Sequence, residues 1–128
     1  MVIVPIRANT PQQVSHAVIT AAMTVHTELS PGLLESTYTA CVRYELKQAG
    51  FDALAQVALP VAYRGVKVEL GYRMDLRVED LVVVEVKSVD GISPVHQAQI
   101  LSYLELSGKS IGLLINSNVV HLKDGIGW

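Results

Sequence analysis

GYRMDLRVEDLVVVEVKS, residues 71–88, is the stretch of this sequence that decides the fold. It predicts two β-strands joined by a tight acidic tip at Glu79 and Asp80, because strand-forming residues flank the two acids. Successive side chains along a strand point to opposite faces of the sheet. Glu85 and Lys87 therefore share one face of the second strand, and the alternate valines share the other. A carboxylate and an ammonium at the end of so apolar a strand are costly to bury unless they are paired or bind something.

The register of this hairpin decides whether a second carboxylate joins Glu85. With a two-residue tip, Asp75 lies opposite Val84 and faces away from Glu85. With a three-residue tip, Val78 pairs with Val82, and Asp75 then lies directly opposite Glu85. Three-residue tips are common in hairpins, and we predict the register that brings the two acids together.

The length and composition indicate one compact domain. The chain has 128 residues, which suits a single core, and we predict one domain over residues 1–128 with residues 1–10 as an N-terminal arm or edge strand. Half of the residues are hydrophobic, which indicates a thoroughly buried sheet and leaves room for a homo-oligomer interface. No apolar run reaches the length of a membrane span, and the first residues do not resemble a signal peptide, so we expect no membrane partner.

The cysteine and charge counts narrow the compartment and the class of partner. A single cysteine, Cys41, cannot form an internal disulfide, fits a reducing cytoplasm and lies in a helical pattern typical of core packing. The formal net charge is −2, which argues against a protein that holds nucleic acid through a global basic surface. That charge does not exclude an enzyme that meets a phosphodiester through metal ions and a local patch.

Three pairs of capping residue and proline predict three helices, starting at Thr10–Pro11, Ser30–Pro31 and Ser93–Pro94. We expect the first helix to run to about Leu29 and the second to run from residue 31 to residue 48 or 49, with Gly50 as its stop. The third is expected over residues 95–106, ending at Gly108.

Between and after the helices the apolar period changes to two, which indicates strands. The predicted strands cover residues 57–61, 66–70, 111–116 and 119–122, with a turn at Arg64–Gly65 and a further short apolar run at residues 2–6. Helices and strands alternate without a boundary, so the sequence predicts a single α/β domain with a mixed sheet.

Asp75, Glu85 and Lys87 have the spacing of a metal-dependent nuclease site. Two carboxylates hold a hard divalent cation such as Mg²⁺, which polarises a phosphoryl oxygen and lowers the pKa of a bound water. The lysine can orient that water or meet the charge that develops on the phosphate. The alternative is structural, with Glu85 and Lys87 side by side on a solvated strand end.

A second motif carries a resemblance to a known family. Residues 32–38, GLLESTY, resemble the signature of the GxxExxY family, small proteins similar to the PD-(D/E)XK nuclease superfamily with its restriction-endonuclease-like fold. The resemblance continues through Val25-His26, LPV at 59–61, YRG at 63–65, GYRMDL at 71–76, VEVK at 84–87, PVHQAQ at 94–99, Tyr103 and LLIN at 113–116. It covers roughly residues 11–125.

The resemblance implies a mixed central β-sheet flanked by helices, and it implies roles for individual residues. Asp75 and Glu85 would be metal ligands and Lys87 the catalytic lysine, with Glu35 approaching the same metal site. His26 would correspond to the extra histidine of recombination-type nucleases in the superfamily. The sequence departs from the superfamily pattern at Met74, where a proline often precedes the first acid.

Other residues of the predicted site also have structural interpretations. His26 borders an apolar stripe and would equally serve as a hydrogen-bonded core histidine that orients Glu35. Gln99 and Tyr103 lie four residues apart on one helix face and resemble the superfamily's Gln-x-x-x-Tyr element. Tyr38 and Tyr103 are each expected to pack and to find a hydroxyl partner, and Gln99 could bind only backbone or water.

One arginine is a candidate for substrate contact, and two histidines are interpreted as having no part in the site. Arg73 is the best candidate to meet a substrate phosphate, since it shares the face of Asp75, although charges on strand faces are usually just solvated. His96 and His121 have no companion at ligand spacing and are interpreted as surface residues.

These observations lead to one prediction of function and two rivals. The first is a metal-dependent nuclease that uses Mg²⁺ or Mn²⁺ and has a nucleic acid substrate, DNA rather than RNA. The second is a catalytically silent module that keeps the nuclease fold and binds nucleic acid or a protein partner. The third, supported only by the apolar content, is a structural or oligomer-forming protein.

Overall fold

A computed structural model describes residues 10–29, 31–68, 72–119 and 126–127. The helices are α1 (Pro11–Glu28), α2 (Glu35–Gln48) and α3 (Pro94–Ser107). The strands are β1 (Ala53–Ala58), β2 (Val61–Tyr63), β3 (Val66–Val68), β4 (Arg73–Val78), β5 (Val82–Lys87), β6 (Ile111–Asn116) and β7 (Ile126–Gly127).

The central sheet has the strand order β1-β4-β5-β6-β7, and β2 pairs with β3 in a separate hairpin. Within the central sheet β5 and β6 are parallel, whereas the other neighbouring strands are antiparallel. Because parallel neighbours need a crossover connection, α3 lies between β5 and β6 in the chain. This mixed sheet with flanking helices confirms the predicted fold class.

Strand β5 lies at the centre of the sheet, and its two faces pack against different helices. Val82, Val84 and Val86 are at most 1% exposed and belong to the main core, which α1 and α2 complete. Val83 faces the other way and packs with Tyr103 of α3. The alternation predicted for this strand is therefore confirmed, and both of its faces are covered, as its near-continuous valine run requires.

Helix α1 begins as its capping residues predict. The Thr10 hydroxyl accepts the Gln13 N–H at 3.2 Å, and the Gln13 side-chain oxygen accepts the Thr10 N–H at 2.9 Å. This reciprocal pair satisfies two N–H groups that a helix start otherwise leaves unpaired. The half-buried Cys41 of α2 packs against the core that α1 contributes to, as predicted.

The predicted start of α2 is wrong by four residues. The helix begins at Glu35 rather than directly after Ser30, which lies outside the described residues. Gly32 has φ +88°, a left-handed conformation that a helix cannot include. The predicted stop is confirmed, since Gly50 also has φ +88° directly beyond the end of the helix.

The strand predictions are confirmed only in part. The strand predicted over residues 57–61 is interrupted, since β1 ends at Ala58 and β2 begins at Val61, and the turn at Arg64–Gly65 joins β2 to β3 as expected. The apolar run at residues 2–6, the end of the strand predicted over 66–70 and most of that predicted over 119–122 lie outside the described residues. Among the helices that the structure describes, none is both long and apolar enough to cross a membrane.

The interpretation of His96 as a surface residue is wrong. Its ring is half-buried, and Nδ1 accepts the Ser93 N–H at 3.0 Å, so the side chain caps the start of α3. This is the position, three residues after the capping serine, from which a side chain can reach back to that serine. His121, interpreted in the same way, lies outside the described residues.

We expect His96→Ala to lower the free energy of unfolding by about 1 kcal/mol, because the Ser93 N–H loses its acceptor. Urea denaturation followed by circular dichroism would measure the change. His16→Ala is the matched control, since His16 is an exposed histidine in the interior of α1. An equal loss in both variants would contradict a capping role for His96.

Candidate active site

The tip of the β4–β5 hairpin holds three residues, as predicted. Val78 pairs with Val82 and Leu76 pairs with Val84, the register that brings Asp75 opposite Glu85. Glu79 and Asp80 in the tip have φ values of +53° and +54°. Backbones in this left-handed region match the twist that tight hairpin turns need.

At Asp75 the two strands are joined by carboxylates instead of by regular backbone pairing. The regular pairing of β4 with β5 ends at Leu76 and Val84. Beyond it, the Asp75 N–H donates to Glu85 Oε1 at 3.1 Å, and Asp75 Oδ2 accepts the Val86 N–H at 2.8 Å. Each acid is therefore held by the backbone of the opposite strand, which fixes the two carboxylates beside each other.

The alternation of side chains along β4 is interrupted at Asp75. Leu76 packs in the core formed with α1 and α2, whereas Met74 packs on the other side with Val83. Residues two apart in a regular strand would share one face. Gln56, at the corresponding place in the neighbouring β1, has φ +53°, and the pairing of β1 with β4 skips these two residues. The role of Gln56 was not predictable from the sequence, since nothing in its residue type signals a left-handed backbone.

Glu85 is 3% exposed, and its surroundings raise its pKa strongly. Burial has the largest effect, and the negative charge of Asp75 adds to it. The Asp75 N–H and the Lys87 ammonium act in the opposite direction, and the resulting pKa is about 8. The Lys87 Nζ lies 3.9 Å from Glu85 Oε2, too far for a hydrogen bond, so the ammonium is attracted to the carboxylate without being fixed to it.

The donor set of Asp75 and Glu85 fits a hard divalent cation. Two adjacent carboxylates in a buried site repel each other, and a cation bound between them would relieve that repulsion. Mg²⁺ commonly takes one or two protein carboxylates and keeps several waters. Within the described ranges no three His, Cys, Asp or Glu side chains come together around one point, so the structure does not group Glu35 or His26 with the acidic pair.

Glu35 instead contacts the chain directly after the lysine. Its Oε1 accepts the Ser88 N–H at 3.0 Å, which ties the start of α2 to the end of β5. From the other side, the Ser117 N–H donates to the Lys87 carbonyl at 2.8 Å, and the 2%-exposed Asn116 side chain bonds both the N–H and the C=O of Val89. Sequence reasoning gave Asn116 and Ser117 no role, although a polar residue ending a buried strand was an available signal.

His26 has structural partners. Its Nε2 lies 2.7 Å from the Val119 carbonyl oxygen, and its ring lies 6.4 Å from the Tyr38 ring at 34°. Tyr38 is 3% exposed, and burial raises the pKa of its hydroxyl. These contacts match the interpretation of both residues as core groups, and the metal role of His26 stays a prediction.

Gln99 and Tyr103 are in contact on α3, as their spacing predicts. Gln99 Nε2 donates to the Tyr103 hydroxyl at 3.1 Å. Burial raises the pKa of Tyr103, and the charge of Glu85 raises it further, which places this hydroxyl within electrostatic reach of the acids. Arg73, at the start of β4, is exposed.

A family model described as the PD-(D/E)XK nuclease superfamily matches residues 12–127. No curated protein and no solved structure matches the chain. The matched residues include α2, α3, all of α1 except its first residue, the β4–β5 hairpin and the acidic pair. This match does not show the GxxExxY motif at residues 32–38, so that finer resemblance stays a prediction.

Proposed function

Because the chain belongs to the PD-(D/E)XK nuclease superfamily, we propose that it is a metal-dependent nuclease that hydrolyses phosphodiester bonds in DNA rather than RNA. Membership suggests a nuclease with a nucleic acid substrate, and nucleases of this superfamily generally use divalent metals. The observation that carries the proposal is the pair of interlocked carboxylates, Asp75 and Glu85, beside the unfixed ammonium of Lys87.

In the proposed site, Asp75 and Glu85 would hold a Mg²⁺ or Mn²⁺ ion. The bound ion would supply an acidified water and a Lewis acid for the phosphoryl oxygen. Lys87 brings its ammonium to the charge that develops on the phosphate, and it neutralises Glu85 in part between turnovers. The backbone N–H groups of Asp75 and Val86 keep the two carboxylates in place, so the site is preorganised for its cation.

The remaining residues have supporting parts in this proposal. Glu35 positions Ser88, and so the end of the strand that carries Lys87, through one carboxylate oxygen, which leaves its other oxygen for a ligand role. Gln99 orients the Tyr103 hydroxyl near the acids. The exposed Arg73 is available to a substrate phosphate.

A catalytically silent module with the same fold is the second candidate. It is favoured by one observation, the lack of a third acidic or imidazole group beside Asp75 and Glu85 among the described residues. Two protein ligands bind a metal more weakly than three, and a module of this kind would bind nucleic acid or a protein without cleaving. Metal binding and cleavage separate the two candidates.

We expect the protein to bind Mn²⁺ in calorimetry and to cleave labelled DNA in Mn²⁺ but not in EDTA. Asp75→Asn should weaken Mn²⁺ binding at least about tenfold and abolish cleavage, because it removes one of two charged ligands. Asp90→Asn is the control, since Asp90 is an exposed aspartate. Cleavage that survives in EDTA or in Asp75→Asn would refute the proposed metal site, and metal binding without any cleavage would favour the silent module.

A further inference from the structure

A groove of about 460 Å³ lies between α2 and β1, which is the edge strand of the central sheet. Its lining includes Arg43, Tyr44 and Lys47 from one face of α2, and Ala55 and Gln56 from β1. None of these residues takes part in the proposed chemistry. The groove therefore needs an explanation of its own.

The charge of the groove is opposite to that of the whole chain. The chain has 10 basic and 12 acidic residues, yet the described residues that line the groove include Arg43 and Lys47 and no acid. Arg43 is fixed by its Nε, which donates to the Ala53 carbonyl at 2.8 Å. A guanidinium held in this way loses little further freedom when it contacts an anion. The groove is thus suited to a negatively charged ligand.

The groove also has an exposed ring and a mostly apolar floor. Tyr44 is 61% exposed between the two cations in the sequence of α2. Ala40 and Ala55 supply small apolar surfaces beside it. Proteins that bind single-stranded nucleic acids combine such groups. A base stacks on the aromatic ring, and the neighbouring phosphates contact Lys and Arg.

A second depression adjoins the groove. It has a volume of about 510 Å³, shares Ser36 with the groove and extends past Glu35 to Ser88, the residue after Lys87. The helix rises roughly 16 Å from Ser36 to Lys47. This length matches up to about five stacked nucleotides of a single strand.

We propose that this groove binds single-stranded nucleic acid, with a base on Tyr44 and flanking phosphates at Arg43 and Lys47. The inference rests on the proposed function, since it assigns a path to the same substrate. A paired base in a duplex cannot lie flat against an exposed ring, so the groove selects a single strand or an unpaired end.

The test is fluorescence anisotropy with a labelled single-stranded DNA of about 12 nucleotides, in EDTA and at low salt, where binding is measured without cleavage. The double variant Tyr44→Ala/Lys47→Glu is expected to bind at least about tenfold more weakly than the wild type. Tyr63→Ala/Arg64→Glu is the matched control, because Tyr63 is 62% exposed and is followed by a cation on the β2–β3 hairpin. Its affinity should change less than about twofold.

Several results would overturn the proposal. The first is an equal loss of affinity for the single strand in both double variants. The second is no binding of the single strand by the wild type. The third is a loss of affinity in Tyr44→Ala/Lys47→Glu that is as large for a duplex DNA as for the single strand. Both double variants change exposed side chains, and thermal melts would verify that they fold. Groove-dependent binding without cleavage in Mn²⁺ would support the groove and refute the nuclease proposal. Metal-dependent cleavage together with binding that Tyr44→Ala/Lys47→Glu does not weaken would support the nuclease proposal and refute the groove.

Discussion

Lys87→Met is expected to lower the rate of Mn²⁺-dependent cleavage by a factor of about 10²–10³, the loss typical of removing one group that stabilises transition-state charge. Met keeps the aliphatic stem, so packing at the end of β5 is largely preserved. The ammonium lies 3.9 Å from Glu85 Oε2 and its side chain is 18% exposed. It is thus near the acids, partly exposed, and without a hydrogen-bond partner among the residues that the structure describes.

The same substitution should leave Mn²⁺ bound, which distinguishes an electrostatic role from a ligand role. Lys87 lowers the pKa of Glu85, so its removal favours the protonated acid, and metal binding is best compared above about pH 8. Lys109→Met is the control, since Lys109 pairs with Asp80 at the far tip of the hairpin, 3.0 Å away. A Lys87→Met protein that cleaves at the wild-type rate would remove lysine from the mechanism.

Much of this site was predictable because register has few options. A one-residue slip in the hairpin reverses every side chain, so the choice lay between acids together and acids apart. The pairing of Val78 with Val82 confirms the first. The capping of α1 was predictable for a similar reason, since Thr10 and Gln13 are close in sequence and need no tertiary contact to meet.

The features that the sequence did not reveal depend on tertiary contacts. Ser30–Pro31 is a local signal for a helix start, but Gly32 has φ +88° and α2 begins only at Glu35. The interruption of side-chain alternation in β4 at Asp75 coincides with a left-handed backbone at Gln56 in the neighbouring β1. No residue near Asp75 in the sequence signals this coincidence. Spacing alone could not have brought Glu35 to Ser88, which lies 53 residues away in the chain.

His96 shows a different kind of failure. Metal-ligand spacing gives this isolated histidine no role. The capping position three residues after Ser93 was visible in the same sequence, and the structure uses it.

The second large effect is expected in the stability of the metal-free protein. Glu85 has a pKa of about 8 when folded, raised first by burial and then by Asp75, against 4.5 for an unperturbed glutamate. Between these two values the folded state binds more protons than the unfolded state, so the free energy of unfolding falls as pH rises through this window. Each pH unit in the window is worth up to about 1.4 kcal/mol.

Glu85→Gln removes this titration and keeps the shape of the side chain. In EDTA, the wild type should therefore lose stability between about pH 5 and pH 8 relative to Glu85→Gln, with the difference reaching a few kcal/mol (about 2–4) at the upper end. Glu105→Gln, an exposed glutamate on α3, is the control and should follow the wild type. Urea denaturation across this range measures all three proteins.

Addition of Mn²⁺ should restore the wild type at high pH and leave Glu85→Gln unchanged, because a ligand that binds only the folded state stabilises it. The carboxylate that destabilises the empty fold is then the group that the cation needs. A site of this kind gives up stability in the metal-free state for affinity in the bound state. Parallel pH profiles of the free energy of unfolding for the wild type and Glu85→Gln in EDTA would show that burial does not raise the pKa of Glu85. That result would contradict a metal site prepared by the burial of this carboxylate.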